Sequence, residues 1–303
     1  MVKYITPYGF CFGVKNSLNK VREIRKSRPQ ARIVFVHPLV HNQATNDLIY
    51  KETNATAYSP DIPQKDYRGA FLVFPAHGMT NVDRRFAKSL QANYIDCTCP
   101  VLINTKKQII KNLEDGKNVF FLGKRNHSES KFMCDISKEI TFIGDDEIET
   151  YDYSKLNNYS SIYLYPQSTL SKEKLDKFNS NINKYYKGKY VPHHLCVECL
   201  KRWNNGKSII PAAKDSFIVV TDPSSSNGTE FANILRNEFF INEIYTIQSY
   251  EELKELKEKI DYRGDIYIGS ATSTPNKLVE KIANNLRIWS FLKRLVPHIR
   301  GRK

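Results

Sequence analysis

Six apolar, β-branched runs punctuate the chain, and each passes directly into a polar loop. Ile33–Val36 leads into His37-Pro38-Leu39-Val40-His41-Asn42, and Ala70–Phe74 leads into Pro75-Ala76-His77-Gly78. Val119–Leu122 is followed by Gly123-Lys124-Arg125-Asn126-His127-Ser128-Glu129, and Ile162–Leu164 by Tyr165-Pro166-Gln167-Ser168-Thr169. Phe217–Val220 enters Thr221-Asp222-Pro223-Ser224-Ser225-Ser226-Asn227, and Asp265–Ile268 enters Gly269-Ser270-Ala271-Thr272-Ser273-Thr274-Pro275. Short continuous apolar runs bounded by polar turns read as strands buried on both faces. Between them the period changes to that of a helix. Val14, Leu18, Val21 and Ile24 recur at steps of 4, 3 and 3, and Ile109, Ile110 and Leu113 make a similar face. Strands alternating with amphipathic helices predict an α/β protein built on parallel sheets.

The cysteines divide this pattern. Cys11, Cys99 and Cys196 lie 88 and 97 residues apart, and each precedes a pair of strands by about 20 residues. The chain therefore reads as three similar small α/β domains, 1–97, 98–195 and 196–282, followed by a basic tail, 283–303. Ligands of open α/β sheets bind outside the carboxyl ends of the strands. Three such units facing one another would bring three thiols and six polar loops to one centre.

Composition narrows the classes. The 303 residues are 41% hydrophobic with a mean hydropathy of −0.50, and no apolar run approaches the roughly 20 residues of a bilayer helix. The start, MVKYITPYGF, lacks the layout of a secretory signal, so the expected location is the cytoplasm or a plastid-like organelle. Six cysteines in such a compartment are thiols or metal ligands rather than a disulfide frame. Formal charge is +14, from 46 Lys and Arg against 32 Asp and Glu. The tail supplies six cations and no acid (Arg287, Lys293, Arg294, Arg300, Arg302, Lys303), interleaved with Ile288, Trp289, Phe291, Leu292, Leu295 and Val296. Contact with a membrane surface and docking on the protein body are both open for it, with docking preferred. A positive field around the cleft suits an anionic substrate and an acidic electron carrier.

Three cysteines from three units suit a four-iron, four-sulfur cluster, one iron of which keeps an open position for a substrate oxygen. A thiol at the start of a helix, as Pro100 implies for Cys99, is acidified. Cys97-Thr98-Cys99 with Cys196-Val197-Glu198-Cys199 also admits a four-thiolate zinc site, and the second pair alone a redox C-x-x-C. Cys134 reads as structural. A basic zinc protein that binds nucleic acid is the rival from another class, but no reader motif supports it and no nucleic-acid partner is expected.

Eight motifs then fall in order: Gly9-Phe10-Cys11-Phe12-Gly13-Val14, Val40-His41-Asn42, Ala76-His77-Gly78, Asp96-Cys97-Thr98-Cys99-Pro100, His127-Ser128-Glu129, Gln167-Ser168-Thr169-Leu170-Ser171, Ser225-Ser226-Asn227 and Ser273-Thr274-Pro275. Over about residues 9 to 280 the chain resembles the 4-hydroxy-3-methylbut-2-enyl diphosphate reductase family, iron–sulfur enzymes of the non-mevalonate isoprenoid pathway. The resemblance implies a cloverleaf of three α/β domains around a [4Fe–4S] cluster, with Cys11, Cys99 and Cys196 as its ligands. Cys196 rather than Cys199 is chosen because Arg202 follows six residues later, as in the family pattern. The implied reaction removes the hydroxyl of an allylic diphosphate with two electrons and two protons, giving isopentenyl and dimethylallyl diphosphate. A ferredoxin or flavodoxin-type donor would supply the electrons, since no Gly-rich nucleotide fingerprint is visible.

The residues agree with that chemistry. A diphosphate in a dry site needs many donors. His41, His77 and His127 each follow a strand, and Ser225, Ser226, Asn227 and Ser273 add hydroxyls and an amide. A Ser-rich loop alone would read as a helix N-cap. Cleavage of a C–O bond needs a proton, which a carboxyl of raised pKa delivers. The resemblance makes Glu129 that relay, with Ser168 standing where the family usually has Thr. The chain departs from the family at Cys97, Lys124, Ser128, Glu198 and Cys199. These departures leave room for a paralogue that reduces another substrate.

Overall fold

The six predicted strands are the inner strands of three four-stranded sheets in which every pairing is parallel. The computed structural model describes residues 1–239 and 243–300. In the first sheet β2 (Ile33–Phe35) and β4 (Phe71–Phe74) are flanked by β3 (Thr56–Ala57) and β5 (Asn93–Asp96), in the order β3-β2-β4-β5. The second repeats this plan with β6 (Val119–Gly123), β7 (Thr141–Gly144), β8 (Ser161–Pro166) and β9 (Lys189–Pro192), in the order β7-β6-β8-β9. The third is built from β10 (Ser216–Val220), β11 (Ile244–Ile247), β12 (Ile266–Ser270) and β1 (Val2–Tyr4). Its order is β1-β12-β10-β11, so β1 takes the edge that β5 and β9 hold in the other two.

This placement changes the division drawn from the sequence. The first residues do not belong with the sheet of residues 33–96. Val2, Lys3 and Tyr4 pair with Ile266, Tyr267 and Ile268 instead. The chain forms two compact units: Met1–Cys11, His41–Asp47 and Glu198–Lys303 in one, with the third sheet, and Phe12–Val40 and Leu48–Val197 in the other, with the first two sheets.

The helices follow their predicted faces. In α1 (Phe12–Ser27) Val14, Leu18 and Val21 are buried, while Ile24 at the far end is half-buried. Full burial of such a side chain stabilises by about 1.5–3 kcal/mol. Helix α4 (Pro100–Glu114) starts on a proline, whose fixed φ suits the first turn, and buries Leu102 and Ile109 against Val119 and Phe121 of β6. Helix α5 (Ser128–Cys134) adds Phe132 and Met133 to that core. Helix α3 (Asn81–Ser89) opens with a reciprocal capping box between Thr80 and Asp83. Around the third sheet Ile218, Val220, Ile266 and Ile268 pack on Val279, Ile282, Ala283, Leu286 and Trp289 of α10 (Asn276–Arg300).

Residues 283–300 are therefore not a separate tail but the continuation of α10. Docking is observed through Trp289, whereas Ile288, Phe291, Leu292 and Leu295 are exposed. Arg302 and Lys303 and the side chains of Arg294, Val296 and Arg300 lie outside the described set. Among the described residues no helix is long and apolar enough to cross a membrane.

Candidate functional site

Each of the three cysteines singled out from the spacing immediately precedes the first residue of a helix. Cys11 precedes α1, Cys99 is the N-cap of α4, and Cys196 precedes α7 (Val197–Lys207). All three are partly exposed. The positive end of a helix favours thiolate at such a position. The other three have different surroundings. Cys97 is fully buried, burial pushes its thiol up to about 12, and its Sγ donates to the Ser17 carbonyl. Cys134 ends α5, partly buried against an apolar core, and burial pushes its thiol up to about 11. Cys199 is buried in the first turn of α7.

The segment carrying Cys11 is tied down residue by residue. Gly9, at φ +74°, donates its N–H to Ser270 Oγ at 2.8 Å. Its carbonyl accepts from Arg202 Nη2 at 2.7 Å. Phe10 N donates to Asn276 Oδ1 at 3.1 Å and Cys11 N to the Thr272 carbonyl at 3.0 Å. A Cβ at Gly9 would meet the Asn276 side chain at 2.3 Å, so glycine is required by space as well as by φ. Arg202 is 1% exposed, and its Nη1 bonds the Glu198 carbonyl and lies 3.7 Å from the Glu198 carboxylate. Glu198, one of the departures from the family pattern, is thus a partner of Arg202.

Within the same unit the loops after β10 and β12 meet residues 41–45. Ser273 Oγ donates to the His41 carbonyl, and the Ser273 carbonyl accepts from Thr45 Oγ1 at 2.6 Å. Asn227 Oδ1 accepts from Thr272 N at 2.9 Å. Its Nδ2 is buried and, among the described residues, finds no acceptor. Ser225 does what the plainer reading said: its Oγ accepts from Gly228 N and caps α8 (Ser226–Phe239), with Ser226 and Asn227 in the first turn. An orphaned amide donor beside the positive end of a 14-residue helix is suited to an anion.

Asp222 was not singled out by the sequence, although it stands in a predicted loop. Its carboxylate accepts from Gln43 N, Ser224 N and Ser224 Oγ. Burial alone would push its pKa up, but these bonds and the charge of His41 outweigh it and hold the carboxyl below its usual range. Burial lowers the His41 pKa while Asp222 opposes that shift, so the ring is biased toward the neutral form near pH 7.

In the other unit four predicted residues, Glu129, Ser168, Cys196 and His127, come together. Ser168 donates its N–H to Glu129 Oε1 at 2.7 Å and its hydroxyl to Oε2 at 2.6 Å. The Ser168 carbonyl in turn accepts from Cys196 N at 3.2 Å. Glu129 is 3% exposed, and burial pushes its pKa to about 7 against the pull of both Ser168 bonds. His127 caps α5, its Nδ1 accepting from Glu129 N at 3.2 Å. A neutral ring that accepts at Nδ1 carries its proton on Nε2, which is then a donor. The loop bearing His77 is joined to Cys99 by the Cys99 N–H donating to the Ala76 carbonyl at 2.9 Å. Met79 N donates to Thr98 Oγ1 at 3.1 Å, so Thr98 is a second support that the sequence reading passed over.

The parallel sheets, the polar loops beyond their strand ends and the buried carboxyl of Glu129 make this an α/β enzyme. More narrowly, the chain belongs to the LytB protein family, which matches residues 2–287. A 4-hydroxy-3-methylbut-2-enyl diphosphate reductase of Macrococcus caseolyticus is 25% identical over 287 residues, covering 93% of this chain and 88% of the relative. The enzyme of that name from Bacillus subtilis is 25% identical over 319 aligned positions, covering 98% of each. Among solved structures, the E-1-hydroxy-2-methyl-but-2-enyl-4-diphosphate reductase of Plasmodium falciparum superposes with a TM-score of 0.77 at 21% identity, covering 94% of this chain and 87% of its own. A second, described as the terminal enzyme of the non-mevalonate pathway, gives 0.66 at 18% identity, covering 94% and 98%. These structures share the fold of the three-sheet chain.

Proposed function

We propose that this protein reduces 4-hydroxy-3-methylbut-2-enyl diphosphate to isopentenyl and dimethylallyl diphosphate. The balance is one C–O bond broken, one C–H bond formed and one water released, with two electrons and two protons consumed. The observation that carries the proposal is Glu129, a buried carboxyl at about pKa 7 with both oxygens bonded by Ser168. Such a group is partly protonated near neutral pH, and with the Ser168 hydroxyl turned to accept from it and donate onward, the proton reaches a leaving oxygen. Cys11, Cys99 and Cys196, the partly exposed thiols at helix starts, would hold a [4Fe–4S] cluster, whose ligands are thiolates. When bound, the cluster supplies electrons and a Lewis-acidic iron for the hydroxyl.

The chain's own residues do the rest. Asn227 Nδ2, the first turn of α8, Ser226 and Ser273 offer donors to the diphosphate, and His41, His77 and His127 add imidazoles. A neutral imidazole donates a hydrogen bond to an anion through its one N–H. The Arg202 clamp keeps Cys11 where the fold delivers it. Electrons come from a ferredoxin or flavodoxin-type protein, in keeping with the charge of +14. Protein purified without oxygen and loaded with iron and sulfide is to be given the allylic diphosphate and a chemical reductant. Both isoprenoid diphosphates are the expected products. An iron-replete preparation that yields neither refutes the substrate, and stoichiometric zinc without sulfide refutes the cluster.

A further inference from the structure

Helix α10 carries two apolar faces where a helix docked on a sheet needs one. Val279, Ile282, Ala283, Leu286 and Trp289 form the first, buried on the third sheet. The opposite face begins as solvated surface, with Lys277, Lys281 and Asn284 exposed. Beyond Arg287 the same face turns apolar. Ile288 is 56% exposed, Phe291 63%, Leu292 49% and Leu295 41%. Positions i, i+3, i+4 and i+7 fall within about 100° of one another on a helix, so these four make one continuous stripe. Single exposed apolar residues need no explanation, but a stripe of this kind does. The stripe lies just beyond residue 287, where the family match ends.

The charge around the stripe says what covers it. From Ala283 to Lys303 the sequence holds six cations and no acid. Arg287, at the start of the stripe, is exposed and is anchored over the Tyr4 ring and to Asn284 Oδ1. Lys293 is 43% exposed while it bonds Glu258 at 2.5 Å. A second copy docked through the same stripe would bring like charges, Arg287 and Lys293 of each copy, to one interface. An anionic lipid surface meets both features, because its acyl boundary takes the apolar stripe and its head groups take the cations. We infer that the stripe Ile288-Phe291-Leu292-Leu295 is a membrane-surface face, by which the end of α10 lies in the interfacial plane of an anionic bilayer. Four side chains with a handful of cations predict reversible, salt-sensitive association rather than permanent anchorage.

The test uses the full chain with vesicles of phosphatidylcholine alone and of phosphatidylcholine mixed with phosphatidylglycerol. Co-sedimentation is expected with the anionic vesicles only, and it should weaken as salt is raised. The triple substitution Ile288→Ser, Phe291→Ser, Leu292→Ser should reduce binding at least about tenfold while leaving the thermal midpoint in place, because none of the three is in the core. Arg287→Gln should reduce it about fivefold. Binding that the triple variant retains, binding equal on neutral vesicles, or no binding at all overturns the inference. So does a concentration-dependent dimer without lipid that the triple variant abolishes. Reductase turnover with a soluble chemical reductant should be the same in the triple variant, which keeps this inference separate from the proposed reaction.

Discussion

Glu129→Gln isolates the proton of the buried carboxyl from its shape. Glutamine keeps the length of the side chain, accepts from Ser168 N through its carbonyl, and donates to the Ser168 hydroxyl through its amide. What disappears is titration. Burial raises the carboxyl from 4.5 to about 7. At 1.36 kcal/mol per unit this is on the order of 3 kcal/mol of folded-state preference for the protonated form. The sign follows from the raised value. The folded state binds the proton more tightly than the unfolded chain, so the contribution is complete below the unfolded pKa near 4.5. It is lost as pH rises through the folded value of about 7. Wild type should therefore lose on the order of 3 kcal/mol relative to Glu129→Gln between pH 4.5 and 8, because the variant has no such group. Urea unfolding of metal-free protein at a series of pH values reads this difference. Infrared spectroscopy reads its source, a protonated-carboxyl band that titrates near neutrality in wild type and is missing from the variant. In the loaded protein, turnover should fall by about 10²–10⁴ while diphosphate binding is kept. Parallel pH profiles for the two proteins, or an infrared midpoint near 4.5, would refute the reasoning.

Three further outcomes follow from the same contacts. Gly78→Ala places a Cβ at φ +124°, only 2.1 Å from Phe132 Cγ, and should cost about 2–5 kcal/mol in denaturant unfolding, with part recovered by Phe132→Leu in the same chain; an unchanged midpoint would mean that the His77 loop is not packed as described. Arg202→Met removes the donor to the Gly9 carbonyl and should cost about 1–3 kcal/mol while quickening amide exchange at Phe10 and Cys11. Exchange left at the wild-type rate would show that the Cys11 segment is held without the arginine. Alanine at Cys11, Cys99 or Cys196 should each lower bound iron and sulfide, whereas Cys97→Ala should leave both near the wild-type level, and iron loss in Cys97→Ala would contradict its place as a buried thiol.

The parts of the fold legible in the chain are those whose environment is the same on every side. Ile33–Phe35, Val119–Gly123 and Ser216–Val220 are buried at every position, and a strand buried on both faces must be written as a continuous apolar run. Such runs located all six inner strands and the loops beyond their ends. The edge strands left no comparable mark. Thr56–Ala57 is exposed throughout, and Lys189–Pro192 begins and ends exposed, because an edge needs only backbone partners from its neighbour. No local pattern could assign Val2–Tyr4 to the third sheet, since its partner strand lies more than 260 residues away and pairing depends on which edge is open.

The site divides along the same line. Spacing singled out the three cysteines and residue chemistry the His and Ser-Asn loops, whereas the relay of Glu129 with Ser168 and the choice of Cys196 over Cys199 came from the family resemblance. Their working state was a tertiary matter. The proton on Glu129 depends on desolvation and on a serine 39 residues on, and the separation of Cys97 from Cys99 depends on which of two near neighbours the core covers. Asp222 and Arg202 acquire their parts only through Gln43, Ser224 and Gly9, which packing brings to them. The sequence showed apolar residues interleaved with cations in 283–303, but only docking on the third sheet decided that Trp289 is covered and Phe291 is not. Composition and spacing thus set which groups the molecule has and roughly where along each strand they fall. Burial, charge state and partner identity belong to the folded protein, because each is a sum over neighbours that the linear chain does not place side by side.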